Sequence, residues 1–159
     1  MQRRLVVFDL DETLVHATEH ALSRPAEFEI TPYLIYQRPF VADMLAELAT
    51  DFDLAVWSSS SQVYVDAIVS RIFRHPLKFA WSVKRCIQRV DVRTNSYVYI
   101  KDLRKIRGYT LEHIIMVDDS PEKIARQPRN HLHISPYLGQ ADDNVLLALP
   151  QRLHSFKPY

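Results

Sequence analysis

Leu5-Val6-Val7-Phe8-Asp9-Leu10-Asp11-Glu12-Thr13 decides how the rest of the chain is read. Its first four residues are apolar at every position, and two are β-branched. A run this short and this uniform reads as a strand buried on both faces. It stops at two carboxylates spaced two residues apart. In open parallel sheets ligands gather beyond the carboxyl ends of the strands, so Asp9 and Asp11 stand where such a sheet places its chemistry. Asp and Thr also cap helices and turns, and this stretch alone leaves that alternative open.

Working outward, the pattern repeats. Leu54-Ala55-Val56-Trp57 runs into Ser58-Ser59-Ser60-Ser61, Tyr97-Val98-Tyr99-Ile100 into Lys101, and Ile114-Ile115-Met116-Val117 into Asp118-Asp119. Each apolar run ends in residues that can bind or react. Between them Pro39 opens a helix with Phe40, Val41, Met44, Leu45 and Leu48 on one face. A second amphipathic helix carries Val63, Tyr64, Ala67, Ile68 and Ile72. Residues 28–36 read as a small hairpin broken at Thr31-Pro32, and 78–100 as short strands and turns. Ser120 and Pro121 predict another helix start, 131–135 a last strand, and 142–153 a last helix. Alternating strands and helices predict an α/β fold, a doubly wound and mainly parallel sheet with helices on both faces. No repeat or linker divides the chain, so residues 1–159 are expected to form one catalytic domain.

Composition narrows the function. The chain has 159 residues, 47% hydrophobic and 25% charged, the profile of a globular domain. No apolar run approaches the ~20 residues of a membrane span, and Met1-Gln2-Arg3-Arg4 begins no export signal. An intracellular, soluble protein is expected, cytoplasmic or nuclear, with no membrane partner. The two glycines, Gly108 and Gly139, exclude a Gly-rich phosphate loop or dinucleotide fingerprint. Cys86 forms no internal disulfide. It heads no Cys-x₅-Arg motif either, because Val92 occupies that position, so it is expected as a small buried hydrophobe. The pairs His16/His20 and His131/His133 lack the Glu or Cys of a zinc site. Net charge is +1, so nucleic acid is not expected, yet the charge is uneven. Residues 71–107 hold eleven Lys/Arg against two Asp/Glu, and the remainder nine against seventeen.

An acidic half beside a basic half suits a site that holds a cation and an anionic substrate. A carboxylate such as Asp9 attacking a phosphate meets like-charge repulsion, which Mg²⁺ with its hard oxygen ligands relieves. Asp11 is placed to give a proton to the leaving oxygen and take one from water. Ser58, with the amides after it, can meet phosphate oxygens, and Lys101 can neutralise charge on nucleophile and phosphoryl group. Asp118 and Asp119 complete a carboxylate cluster. Each residue taken singly has a plainer use, as cap, loop or solvated charge.

Taken together they resemble the haloacid dehalogenase superfamily, in its phosphoprotein-phosphatase branch related to phosphatases of the RNA polymerase II C-terminal domain. The resemblance rests on Asp9-Leu-Asp-Glu-Thr-Leu-Val-His16, Arg38-Pro39, Val56-Trp57-Ser58-Ser59-Ser60, Tyr99-Ile100-Lys101-Asp102-Leu103, Val117-Asp118-Asp119-Ser120-Pro121 and Asp142-Asp143-Asn144-Val145-Leu146. It implies Asp9 as nucleophile, Asp11 as acid/base, and Ser58 and Lys101 as phosphate-side catalytic groups. It further implies Mg²⁺ held by Asp9, Asp11 (through its carbonyl), Asp119 and Asp118. Ser58 stands where many relatives have Thr, and Asp119 where many have Asn. An acid at position 11 points to phosphatase or phosphomutase chemistry within that superfamily.

The segments between motifs leave room for small β insertions and no large cap domain. An open cleft is therefore expected, with a phosphoserine or phosphothreonine protein segment as substrate. Thr13 and Ser59 would line the phosphate site. Phe28, Ile30, Tyr64 and Arg85 are docking candidates, with Arg85, Arg89 and Arg93 forming a basic stripe if residues 85–93 are extended. Alternatives are a small-metabolite or nucleic-acid 3′-phosphatase, or an inactive phosphoprotein-binding scaffold.

Overall fold

The structure is a computed structural model that describes residues 2–158. Its first strands are β1 (Leu5–Phe8), β2 (Val15–Thr18), β3 (Phe28–Ile30), β4 (Tyr33–Gln37), β5 (Asp53–Trp57) and β6 (Ala80–Trp81). The rest are β7 (Ile87–Asp91), β8 (Ser96–Ile100), β9 (Ile114–Asp118) and β10 (His131–His133). Three α-helices join them: α1 (Val41–Asp51), α2 (Gln62–Ile72) and α3 (Val145–Ser155). The central sheet is five-stranded and parallel throughout, in the order β10-β9-β1-β5-β6. β1 lies at its middle because it is apolar on both faces, and Leu5 to Phe8 are all fully buried.

Alternation along the strands divides the core in two. Val6, Phe8, Leu54, Val56, Ile115 and Val117 face the buried sides of all three α-helices. Leu5, Val7, Ala55, Trp57, Ile114 and Met116 face the other way, under 3₁₀ segments that bring Leu103, Ile106 and Ile124. Helical segments thus cover both faces, α on one and 3₁₀ on the other. The α-helical face buries long apolar stripes, such as Val41, Met44, Leu45 and Leu48 of α1. Fully burying one such side chain contributes about 1.5–3 kcal/mol.

Two small sheets are set into this frame. β2, β4 and β3 form an antiparallel sheet after β1, and β7 and β8 form a hairpin before Lys101. β2 is a strand the sequence reading did not anticipate, since Val15-His16-Ala17-Thr18 is short and has little apolar pattern of its own; it pairs only because β4 lies beside it.

The helix expected from Pro121 is only the 3₁₀ segment Pro121–Ile124, and the Ser120 side chain makes no capping bond. The reason lies a few residues on. Pro128 disfavours helical geometry at Gln127, so a helix has no length in which to form. The last helix starts at Val145, three residues later than expected, where the Asp143 carboxylate accepts the Val145 N–H at 3.2 Å. Residues 85–93 are not one extended strand either. Arg85 ends a 3₁₀ turn (Val83–Arg85) and stacks on Trp81, Arg89 lies on β7, and Arg93 sits in the turn beyond it. The single basic stripe does not exist.

Candidate active site

The carboxyl ends of β1, β5 and β9 converge with the end of β8. Leaving β1, the chain folds tightly over Leu10, whose carbonyl accepts N–H bonds from Thr13, Leu14 and Val15. Glu12 takes a left-handed conformation (φ 63°) in this loop. The loop holds Thr13 Oγ 3.2 Å from Asp9 Oδ2 and 3.5 Å from Asp119 Oδ1. Asp9 itself is buried, its N–H bonded to the carbonyl of Val117 on the neighbouring strand.

Lys101 enters from β8 and is wholly buried. Its ammonium lies 3.0 Å from Asp9 Oδ1 and 2.6 Å from Asp118 Oδ2. Asp9, Asp118 and Asp119 each offer a carboxylate oxygen, all within 4.8 Å of one another. One ammonium therefore faces three carboxylates. The imbalance shows in their acidity: burial, then the Asp9 and Asp118 charges, push Asp119 up to about 7. Asp118 is also raised, by burial first and by Asp9 second, although Lys101 opposes both. Burial pulls Lys101 down, but Asp9 and Asp118 outweigh it and hold the amine above its usual range. Three crowded, hard oxygen donors short of positive charge fit a divalent cation well.

The Asp11 carboxylate does not join this cluster. It turns to the open side, where Tyr64 OH donates to Oδ1 at 2.5 Å and Ser60 Oγ to Oδ2 at 3.0 Å. Burial raises its pKa, against the bonds from Tyr64 and Ser60 and the nearby Lys123 charge. Any part of Asp11 in holding a metal falls to its backbone carbonyl. Its side chain lines a cavity of about 370 Å³ with Glu12, Ala17, Tyr33, Ser60, Ser61 and Tyr64. Tyr33 and Tyr64 meet edge-to-face across that cavity, 6.3 Å between ring centres.

Ser58 is buried just past β5, its N–H bonded to Trp81 O, and its Oγ accepts the Ser60 N–H at 3.0 Å. Ser61 caps α2 by accepting the Tyr64 N–H, which fixes where Tyr64 begins the helix. The serine run thus divides its work among loop, Asp11 contact and helix cap. Ser59 accepts a hydrogen bond from Lys123 at 2.9 Å.

The docking candidates fare differently. Tyr64 reaches the cavity. Phe28 does not, being buried in the α-helical core with Arg71 stacked 4.7 Å over its ring, and Ile30 packs against the same core. Neither lines the cavity beside Asp11: Phe28 is turned into the core, and Ile30 is half-buried against it. Arg85 remains exposed near the site, since Val83, in the same turn, donates its N–H to Ser60 O. Cys86 is half-buried beside the second core, where burial raises its thiol pKa.

The family model of NLI interacting factor-like phosphatases matches residues 4–158. The chain belongs to that family. It is 31% identical over 153 residues to a probable C-terminal domain small phosphatase of Dictyostelium discoideum, covering 92% of this chain and 48% of that one. It is 25% identical over 172 residues to CTD nuclear envelope phosphatase 1B of Danio rerio, covering 99% and 68%. The fold resembles that of Fcp1, the fission yeast RNA polymerase II CTD phosphatase, with TM-score 0.60 at 15% identity over 97% of this chain and 50% of that one. This NLI interacting factor-like chain therefore spans about half the length of the Dictyostelium and fission yeast proteins. Among its described residues no helix is long and apolar enough to cross a membrane.

Four residues of this family member gained roles that sequence reasoning had not given them. Ser60 could have been singled out from the serine run, and Lys123 as the cation nearest Asp118-Asp119. Arg38 and Asp143 carried no local signal of their pairing. Arg38, buried, donates to both Asp143 oxygens at 2.9 and 3.0 Å, to Thr13 O at 3.1 Å and to Ser135 O at 2.9 Å. It thereby ties the loop carrying Thr13 to the C-terminal segment.

Proposed function

We propose that this chain hydrolyses phosphate monoesters through a phosphoryl group carried on Asp9, and that its substrate is a phosphoserine or phosphothreonine segment of a protein. The observation that carries the reading is the Asp9–Lys101–Asp118 chain of contacts, with Asp119 beside it and Asp11 across the opening.

In the first half-reaction an Asp9 oxygen bonds to phosphorus as the ester P–O bond breaks, and Asp11, protonated, gives its proton to the departing oxygen. In the second, water attacks phosphorus while the Asp11 carboxylate takes a proton from it. The Asp9–phosphorus bond then breaks and inorganic phosphate leaves. Burial raises the pKa of Asp11, which favours the protonated form that the first step needs. Thr13 and Lys101, bonded to opposite oxygens of Asp9, hold its carboxylate in one orientation. The Ser58 hydroxyl, whose oxygen accepts the Ser60 N–H and whose hydrogen can still be donated, would meet a phosphate oxygen. Asp9, Asp118 and Asp119, with the Asp11 carbonyl, would hold Mg²⁺, which offsets repulsion between carboxylate and phosphate.

A protein segment is favoured because the cavity beside Asp11 is open and walled by two tyrosines, and because the relatives are named as C-terminal domain phosphatases. The test is hydrolysis of para-nitrophenyl phosphate with Mg²⁺ and with excess EDTA. Turnover that requires the metal supports the reading. A folded, Mg²⁺-supplied protein that turns over neither this ester nor a panel of phosphopeptides contradicts it.

A further inference from the structure

Lys101 cannot serve the outer part of a substrate, because its ammonium is buried and bonded to two carboxylates. The mouth of the site has a second cation. Lys123 stands in the 3₁₀ segment after Asp119, half-buried, and its carbonyl accepts the Lys101 N–H at 2.8 Å. From this fixed base its side chain crosses toward the β5 side and donates to Ser59 Oγ at 2.9 Å. Ser59 lies between Ser58, on the phosphate side, and Ser60, which contacts Asp11.

Among the described residues, Lys123 has no carboxylate within ion-pair distance. Among the described residues its hydrogen-bond partner is the neutral hydroxyl of Ser59, which leaves donors of the ammonium unused. A partly desolvated ammonium with no carboxylate in direct contact, and only the more distant Asp11 charge nearby, is arranged for an anion that arrives from outside.

We infer that Lys123 is a substrate-binding residue whose ammonium takes an oxyanion of the substrate at the mouth of the site. The inference rests on the phosphatase reading above. The oxyanion is either an outer oxygen of the scissile phosphate or an acidic group flanking it, and the test separates these sources. Lys123→Met keeps the apolar stem and removes the charge, Lys123→Gln keeps a donor for Ser59 without the charge, and Lys123→Arg keeps the charge.

Three measurements are made on each folded variant with Mg²⁺ supplied. They are calorimetric titration with inorganic phosphate, kinetics on para-nitrophenyl phosphate, and kinetics on phosphopeptides with neutral or acidic flanks. Losing a charge-assisted contact should raise Kd or KM roughly tenfold or more in the Met and Gln variants, with kcat changed far less and Arg restoring the affinity. Weakening of inorganic phosphate and every substrate alike assigns the scissile phosphate. Weakening confined to acidic-flanked peptides assigns the flanking group.

Met and Gln variants that match wild type on every ligand overturn the inference. So does a Gln variant as good as wild type beside a weak Met variant, since the contact with Ser59 would then be what matters. If wild type hydrolyses nothing yet binds phosphate through Lys123, the catalytic reading fails and this one stands.

Discussion

Two buried ionic networks lie close together in this molecule and are built on opposite principles. Around Arg38 the charges balance. One guanidinium meets one carboxylate, Asp143, through two bonds, and two more of its donors go to the carbonyls of Thr13 and Ser135. Around Lys101 one ammonium faces Asp9, Asp118 and Asp119. A satisfied network holds parts together and asks for nothing more. A network short of positive charge costs stability until a cation or substrate completes it, and a fold keeps such a site for what it binds.

The largest expected effect comes from removing the nucleophile. Asp9→Asn should lower turnover by about 10⁴-fold or more while leaving the folded state as stable as before, because it also removes one of the crowded charges. Arg38→Met should do the reverse. It strands Asp143 and should cost about 3–5 kcal/mol in urea unfolding, with a far smaller loss of activity per folded molecule. An Arg38→Met protein of undiminished stability would dissolve the contrast between the two networks.

The third prediction concerns pH in metal-free protein. Asp119 titrates near 7 when folded and near ~3.9 when unfolded, so between those values the folded state holds a proton that the unfolded state has lost. Stability in EDTA should therefore decline as pH rises from about 4 to 7, and Asp119→Asn should flatten that decline. Equal slopes for both proteins would remove Asp119 from the charge imbalance. The smallest effect should come from Asp102, a satisfied carboxylate. Hydrogen bonds from the Arg104 side chain, then its backbone and Arg126 and Gln127, hold it below the usual range despite its burial. Its contribution is present above the unfolded value of about 3.9 and is lost as pH falls toward the depressed folded value. Asp102→Asn should thus be less stable than wild type at neutral pH, with the gap closing in acid.

The contrast also explains what the sequence made legible. β1, β5 and β9 are buried on both faces, so each shows as an unbroken apolar run, and the residues that end the runs are those of the site. Asp9, Asp11, Ser58, Asp118 and Asp119 could be picked out for that reason, and Lys101 because it follows the aromatic and β-branched run of β8. The Arg38–Asp143 pair, 105 residues apart, was hidden because pairing across that distance is made by the fold. β2 was hidden because its partner β4 supplies the reason it is a strand. The burial of Phe28 was hidden because an alternating hairpin shows which residues share a face, but not which face is turned inward.

The most direct test of the account is to mix the protein and Mg²⁺ with a ³²P-labelled phosphopeptide, quench in acid within milliseconds, and map the label by proteolysis and mass spectrometry. The account predicts acid-stable, hydroxylamine-labile phosphate on the peptide containing Asp9, absent from Asp9→Asn. Rapid turnover with no protein-bound phosphate, or with the label on another residue, would contradict it.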